Sequence, residues 1–438
     1  MIQRRYPEYD RNGQSAQGRI IYAWELPSIM RKHIVTGAMG TIYFFLLSGM
    51  YLVAFGNDLG MNYWHWGVLG ASASFTQLLQ LASAHFVRLS GNRKTLWYFS
   101  ALTGRVLRGM AIVLAFALLD YSPAGARAGF MILLVLSNCC DAVASPPWFS
   151  WLADIIPEKE HGRFMGRRSA WIAMANAVAM MPIGYMVDHY GQDSLLPALM
   201  AVFAIGFLFG LSDLIIHRTI PEPPLPRGRG DNLRDNLTHA LSDPHFRPWL
   251  MFNGSWTFSM TLGGTLATVY FVENLGIRRS FFGGSIVLLL VPLLGTALMG
   301  RWLGTLVDRH GFKAVLQWGH RAWALLPLFW LVATPRTALL FLGAGSLVAG
   351  LGSEAALTAS TKFLTRSRPP DEVPMYVAAS TCVGALAGGV GALAAGFLLR
   401  GMKGMEWQFG DLQIIGFHVV FILSFLLRTL STTLIRRI

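Results

Sequence analysis

IVTGAMGTIYFFLLSGMYLVAF, residues 34–55, runs for twenty-two positions without a charged side chain. As a helix rising 1.5 Å per residue it is about 33 Å long, enough to cross the roughly 30 Å hydrocarbon core of a bilayer. Outward from it, five comparable runs follow in the first half: Gly67 to Val87, Thr95 to Leu119, Ala128 to Ile156, Ser169 to Val187 and Leu195 to Ile216. The second half has six: Trp249 to Tyr270, Phe281 to Leu303, Ala314 to Val332, Ala338 to Phe363, Val377 to Leu399 and Leu412 to Leu434. In lipid a backbone can satisfy its polar groups only as a helix or a closed barrel, and none of these runs alternates as barrel strands do. The expected fold class is all-α, a polytopic membrane protein of twelve transmembrane helices. A soluble chain of this length would have to bury a dozen such runs, and a charged fraction of only 13% argues against that.

A polar, proline-rich stretch divides the runs six and six. Four segments are expected: an N-terminal cytoplasmic segment 1–33, a six-helix bundle 34–216, a cytoplasmic central loop 217–248 and a second six-helix bundle 249–438. Alternate loops differ sharply in charge. Twenty-six Lys and Arg fall on the side shared by both termini and six on the other: Arg127, Arg278, Arg279, Arg336, Arg400 and Lys403. The positive-inside rule therefore puts both termini in the cytoplasm and makes the number of spans even. Short loops facing anionic headgroups account for the formal charge of +13, so no nucleic acid partner is expected. The polar first thirty residues do not read as a cleavable signal peptide, and the first span should direct insertion. Cys139, Cys140 and Cys382 fall inside spans, with neither a disulfide framework nor metal-ligand spacing.

Between the eighth and ninth runs lies GTLVDRHGFK, Gly304 to Lys313. Gly304 lets helices approach closely, Asp308 can accept hydrogen bonds from a neighbouring helix N-terminus, Gly311 sits in the turn, and Arg309 and Lys313 hold it at headgroup level. The stretch resembles the signature loop of the major facilitator superfamily, G-x-L-x-D-R-x-G-x-K, a cytoplasmic gate motif. The corresponding first-half loop, AHFVRLSGNRK from Ala84 to Lys94, keeps Gly91 and Lys94 but has Arg88 in place of the acid and Leu89 in place of the arginine. GYMVDHYG, Gly184 to Gly191, echoes the motif on the opposite face, as inverted triplets would produce. DIIPEKEHGRFMGRR from Asp154 and TRSRPPDEVPMY from Thr365 resemble the loops that follow the fourth helix of each half. The resemblance covers about residues 30 to 436 and implies two six-helix bundles related by a pseudo-twofold axis, with the first and fourth helices of each half lining a central cavity.

Charge inside a membrane costs about 2.5 to 3.5 kcal/mol per side chain and calls for a partner or water. Arg105 and Arg108 share a face of the third span, Asp141 lies near the middle of the fourth, His320 and Arg321 lie in the ninth, and Glu354 in the tenth. The recurrence of base in the third helix and acid in the fourth predicts pairing of Arg105 or Arg108 with Asp141 and of Arg321 with Glu354. These are the candidate coupling residues. Candidate cavity residues are Tyr43, Tyr51, Asn138, Asn253, Trp256 and Ser259, with Gln77 and Gln80 on one face of the second span. Pro146, Pro147 and Pro182 are expected to bend or break the helices that carry them. Span eleven, rich in glycine, reads as close packing.

No phosphate-binding loop, HExxH or G-x-S-x-G sequence occurs, so neither an ATP-driven motor nor an enzyme is expected, and no cofactor or metal. The chain reads as a secondary active transporter, moving a small organic solute by alternating access with proton coupling through Asp141 and Glu354. Its partners would be a small-molecule substrate, a coupling proton and the lipid bilayer of a bacterial inner (plasma) membrane, where it would work as a monomer. An uncoupled facilitator, or a non-transporting receptor or assembly factor on the same scaffold, stays open as an alternative.

Overall fold

A computed structural model describes residues 21–22, 24–192, 194–223, 233–366, 373–409 and 412–438. The chain is almost entirely helical, and eight of the described helices are long and apolar enough to cross a membrane. The protein is an integral membrane protein. Uninterrupted spans match runs three to six and ten to twelve: α5 (Arg93–Leu118), α6 (Pro123–Ile155), α7 (Glu158–Tyr190), α8 (Leu195–Arg218), α15 (Ala338–Arg366), α16 (Val373–Gly401) and α17 (Gly416–Leu434). Run one is the eighth span, but it is built from α1 (Leu26–Leu46) and α2 (Gly49–Asp58), separated at Gly49, whose φ of 58° lies in the left-handed region.

The runs missing from those eight are the broken ones. Run two is split by a 3-10 turn at Thr76–Leu78 into α3 (Tyr63–Phe75) and α4 (Leu79–Ser90). A short helix, α9 (Leu233–Ser242), lies in the central segment, and run seven then divides into α10 (Arg247–Gly264) and α11 (Ala267–Glu273). Run eight starts as α12 (Phe281–Ser285), passes through a π turn at Ile286–Leu290 and merges with run nine in α13 (Val291–Ala324). A non-helical Gly311, φ 77° and ψ 158°, breaks that merged helix, and Pro327 opens α14 (Leu326–Leu331) after it. Hydropathy counts apolar residues and is blind to such backbone breaks, and seven of the twelve runs are uninterrupted helices among the described residues.

Two further expectations are corrected. Residues Leu412–Ile415 are not the start of a span but strand β2, paired antiparallel with β1 (Glu406–Phe409), so the all-α class carries one small hairpin. Pro146 and Pro147 lie inside a continuous α6 and Pro182 inside a continuous α7, so these prolines do not break their helices. The carbonyls freed by a proline are tolerated where neighbouring helices can satisfy them.

The chain forms two compact units. One comprises Met1–Ser48, Thr76–Asn176 and Met200–Leu233. Its core gathers Ile29, Trp97, Trp151, Leu152, Phe164 and Ile220 from α1, α5, α6, α7 and the segment just after α8. Close approach depends on small residues: a Cβ on Gly210 of α8 would sit 2.6 Å from the Tyr43 ring of α1. Lipid tails are as apolar as leucine, so this fit, and not exclusion of water, holds membrane helices together.

The other unit comprises Gly49–Phe75, Ala177–Leu199 and Arg234–Ile438. Here α13 and α15 meet backbone to backbone: a Cβ on Gly350 would lie 2.3 Å from the Pro292 carbonyl, and one on Gly319 2.6 Å from the Ala356 nitrogen. On its other flank α3 touches α16 through Gly67 and Gly396. Aromatic rings from α10, α13 and α15, with Tyr376, fill its core. The C-terminal part of α7 also belongs to this unit. Asp188 accepts hydrogen bonds from the backbone N–H groups of Phe281 (2.6 Å) and Phe282 (3.0 Å) and so caps α12.

Candidate functional site

Within the first unit, buried charge gathers where α1, α5, α6 and α8 meet. Arg108 on α5 donates from Nε to Ser137 Oγ at 3.2 Å, and from Nη2 to Asn138 Oδ1 and Asp141 Oδ2, both at 3.0 Å. Its side chain is 6% exposed while that of Asp141 is 43% exposed. Asp141 lies on α6 about 180° round from Ile132 and about 140° from Leu136. Those two apolar side chains are exposed, as is Phe149, about 80° round from Asp141. Gly104 on α5 makes room for it: a Cβ there would lie 3.1 Å from Asp141 Oδ1.

Arg105, one turn earlier, does not join this pair. Its guanidinium donates to the Gly210 carbonyl at 2.6 Å and to Asp213 Oδ2, both on α8, and lies 5.1 Å over the Tyr43 ring. Asp213 is 3% exposed, and its other oxygen meets His217 Nδ1 at 2.6 Å. Asp213 and His217 are the functional candidates that sequence reasoning missed. A signal existed: Gly206, Gly210, Asp213 and His217 recur at spacings of four, three and four, one face of a helix.

The second unit does not repeat the arrangement, and the expected pairing of Arg321 with Glu354 is corrected. Among the described residues no ion pair joins them, and Arg321 is exposed. The seam between α13 and α15 uses Gly319 and Trp323 against Gly352 and Ala356. Arg321 and Glu354 each come two residues after a seam glycine, about 200° round their helices, so they turn away from each other. His320 is a core histidine: it is 4% exposed, with Nδ1 2.8 Å from the Leu316 carbonyl, and its ring packs edge-on against Phe252 and Trp256. Among the described residues the buried arginine of this unit is Arg428 on α17, 1% exposed, whose guanidinium donates to the carbonyls of Trp323 (3.4 Å) and Met260 (3.2 Å).

The remaining candidates are dispersed. Asn253 donates to the Ser380 carbonyl at 2.8 Å, Trp256 is buried in the aromatic core, and Ser259 is fully buried, donating to the Trp256 carbonyl. Tyr51 stacks on Phe281 and its hydroxyl lies 3.4 Å from Ser285 Oγ. Gln77 and Gln80 bond to each other. In the gate motif, Gly311 supplies the break in α13, Lys313 donates to the Arg436 carbonyl at 3.0 Å, and Arg309 is exposed. The surroundings of Gly304 and the side chains of Asp308 and Arg88 lie outside what the structure describes.

The sequence profile of the Major Facilitator Superfamily matches residues 33–303. No curated protein sequence matches the chain significantly. Among solved structures, a D-xylose-proton symporter is 15% identical with a TM-score of 0.67, covering 93% of this chain and 96% of that one. The nucleoside transporter NupG is 12% identical, TM-score 0.63, over 94% of this chain and 98% of that one. A bacterial homolog of the human lysosomal transporter Spinster is 14% identical, TM-score 0.62, over 94% and 96%. At such identities the likeness is one of fold.

Proposed function

The chain belongs to the Major Facilitator Superfamily, and on that premise we propose that it is a proton-coupled secondary active transporter for a small organic solute. We read its helices as twelve spans in two pseudo-twofold-related six-helix bundles that rock about a midplane site, with both termini in the cytoplasm of a bacterial cell. The broken first helix of each half, α1/α2 and α10/α11, supports that internal repeat. Non-helical backbone at membrane depth is tolerated where it lines a cavity, as in transporters built from discontinuous helices.

One observation carries the coupling: a half-exposed carboxylate, Asp141, is held by an arginine that is itself buried. While the pair is closed, the Arg108 guanidinium favours the charged form of Asp141. Substrate or rearrangement that draws Arg108 away removes the cation that favours the carboxylate, which then takes up a proton, and return of the arginine expels it. Binding and proton uptake are thereby linked through one side chain. Glu354 forms no ion pair among the described residues and serves, in this scheme, as a polar group of the second half and not as half of a matching pair.

Thermal-shift screening of the purified protein against a metabolite library at two pH values identifies the solute, since a ligand that binds the folded state raises the melting temperature by mass action. With that solute in proteoliposomes, an imposed proton gradient should drive uphill accumulation in the wild type and not in Asp141→Asn. Counterflow should survive in that variant. Accumulation unchanged by Asp141→Asn would sink the coupling, and counterflow without any gradient-driven uptake in the wild type would make the protein a facilitator.

A further inference from the structure

A cavity of about 600 Å³, within the size range of small-molecule sites, lies in the second unit. Three turns line it: the one after α7, the one between α11 and α12, and the one before α15. All three belong to the side on which Lys and Arg are scarce. Six such residues fall on that side, and Arg278 and Arg279 are two of them, adjacent in sequence and lining this one cavity. Basic residues there work against the charge asymmetry that sets orientation, so a pair kept together calls for another reason.

Among the described residues four charged side chains line the cavity: Asp188, Glu273, Arg278 and Arg279. Two are already committed. Asp188 caps α12 and also accepts from Ser280 Oγ at 3.4 Å, while Arg278 donates to Asp58. Glu273 and Arg279 are different: both are exposed, and neither side chain forms an ion pair or a hydrogen bond among the described residues. They stand at the two ends of one turn. Glu273 closes α11, Arg279 closes the 3-10 turn Ile277–Arg279, and Gly276, φ 77°, bends the chain between them. Gln192 and Asn274 add neutral amides to the lining, and Asn274 Oδ1 is a buried acceptor with no hydrogen-bond partner among the described residues.

A simple anion would answer Arg279 and lie against the charge of Glu273, and a simple cation would do the reverse. A molecule carrying both charges answers both. We propose that this cavity binds a small zwitterion, its anionic group on Arg279 and its ammonium on Glu273 and the Asn274 amide oxygen. The guanidinium presents a planar fork to a carboxylate or phosphate, and an ammonium carries three N–H donors for the acid and amide oxygens. A free amino acid and a phosphoethanolamine lipid headgroup share this chemistry. For a free solute, the cavity is a recognition site on the side we read as external. That consequence rests on the transport function proposed above; the binding itself does not.

The test uses full-length protein in an uncharged detergent and saturation-transfer NMR, which reads weak binding directly. Glycine, β-alanine and γ-aminobutyrate carry the two charges at three spacings, and butyrate and butylammonium carry one each. Expected is binding of at least one amino acid about tenfold tighter than of either single-charge compound, with that margin lost in both Arg279→Gln and Glu273→Gln. The variants should also divide the controls: Arg279→Gln weakens butyrate and not butylammonium, and Glu273→Gln does the opposite. Both side chains are exposed, so an unchanged melting temperature is expected in each variant. Amino-acid binding that survives both substitutions, or that is no tighter than binding of the single-charge compounds, overturns the proposal. Phosphatidylethanolamine added to the micelles separates the two sources: displacement of the bound amino acid assigns the site to a headgroup, and its retention assigns it to a free solute. Asp141→Asn should bind the probes as the wild type does, whether or not it abolishes gradient-driven uptake, so the site and the coupling fail separately.

Discussion

At the scale of single residues, buried Arg105 of the first unit and buried Arg428 of the second stand in opposite situations. Arg105 and Asp213 are mutually satisfied, so removing one partner strands the other. Asp213→Ala should destabilise the protein by about 3–5 kcal/mol, and the double variant Arg105→Met with Asp213→Leu should recover most of that loss, as buried ion pairs replaced by apolar groups commonly do. Thermal unfolding in detergent checks both, and a double variant as unstable as the single one would contradict the account. Among the described residues Arg428 has only carbonyls to meet its guanidinium, with Nε unpartnered. Its desolvation is poorly offset, so Arg428→Met should melt no lower than the wild type and gain on the order of 1 kcal/mol. A costly charge kept in a membrane interior marks function, and the same variant should lose transport. The Arg108–Asp141 pair was legible because charge in an apolar run announces itself. Asp213 was not, because the polar boundary that begins at His217 masks it. The Arg321–Glu354 pairing failed for a rotational reason: height along a helix can be read from sequence, but the face depends on which glycines make the seam.

At the scale of elements, glycine decides which helices touch, and its role differs between sites that look alike in sequence. Gly350→Leu would drive a side chain into the Pro292 carbonyl of α13, a backbone atom that cannot step aside. The expected result is loss of the monodisperse peak in size-exclusion chromatography. Gly264, at the end of α10, has open space where a Cβ would sit, and its backbone is helical. Gly264→Ala should therefore stabilise by about 0.4–1 kcal/mol through the unfolded state. Asp188→Ala, which removes the acceptor for two N–H groups at the start of α12, should cost about 0.5–2 kcal/mol. The glycine-rich motif at Gly184 to Gly191 was recognisable as an echo of the gate loop, and the capping role imagined for Asp308 is what Asp188 performs. The helix breaks were not recognisable, since Gly49 is one glycine among several in its run and only its positive φ distinguishes it.

At the scale of the whole molecule, loop charge predicts which ends face the cytoplasm, and the hairpin of β1 and β2 provides a place to test it. Between α16 and α17 the chain carries Arg400 and Lys403 but nothing like the basic density of the loops on the opposite side. Moving charged loops across a bilayer against that imbalance is disfavoured during insertion, so the hairpin should emerge outside and the C-terminal Arg436 and Arg437 should remain within. Cys139, Cys140 and Cys382 are free thiols inside spans and can be exchanged for serine to give a clean background. In that background Gln413→Cys should react with a membrane-impermeant maleimide on intact cells, whereas Arg437→Cys should react only after lysis. Reaction of both from the same side would require an even number of crossings between them, or none. That outcome would break the assignment of α17 as a single span, and with it the even total on which two equal bundles depend.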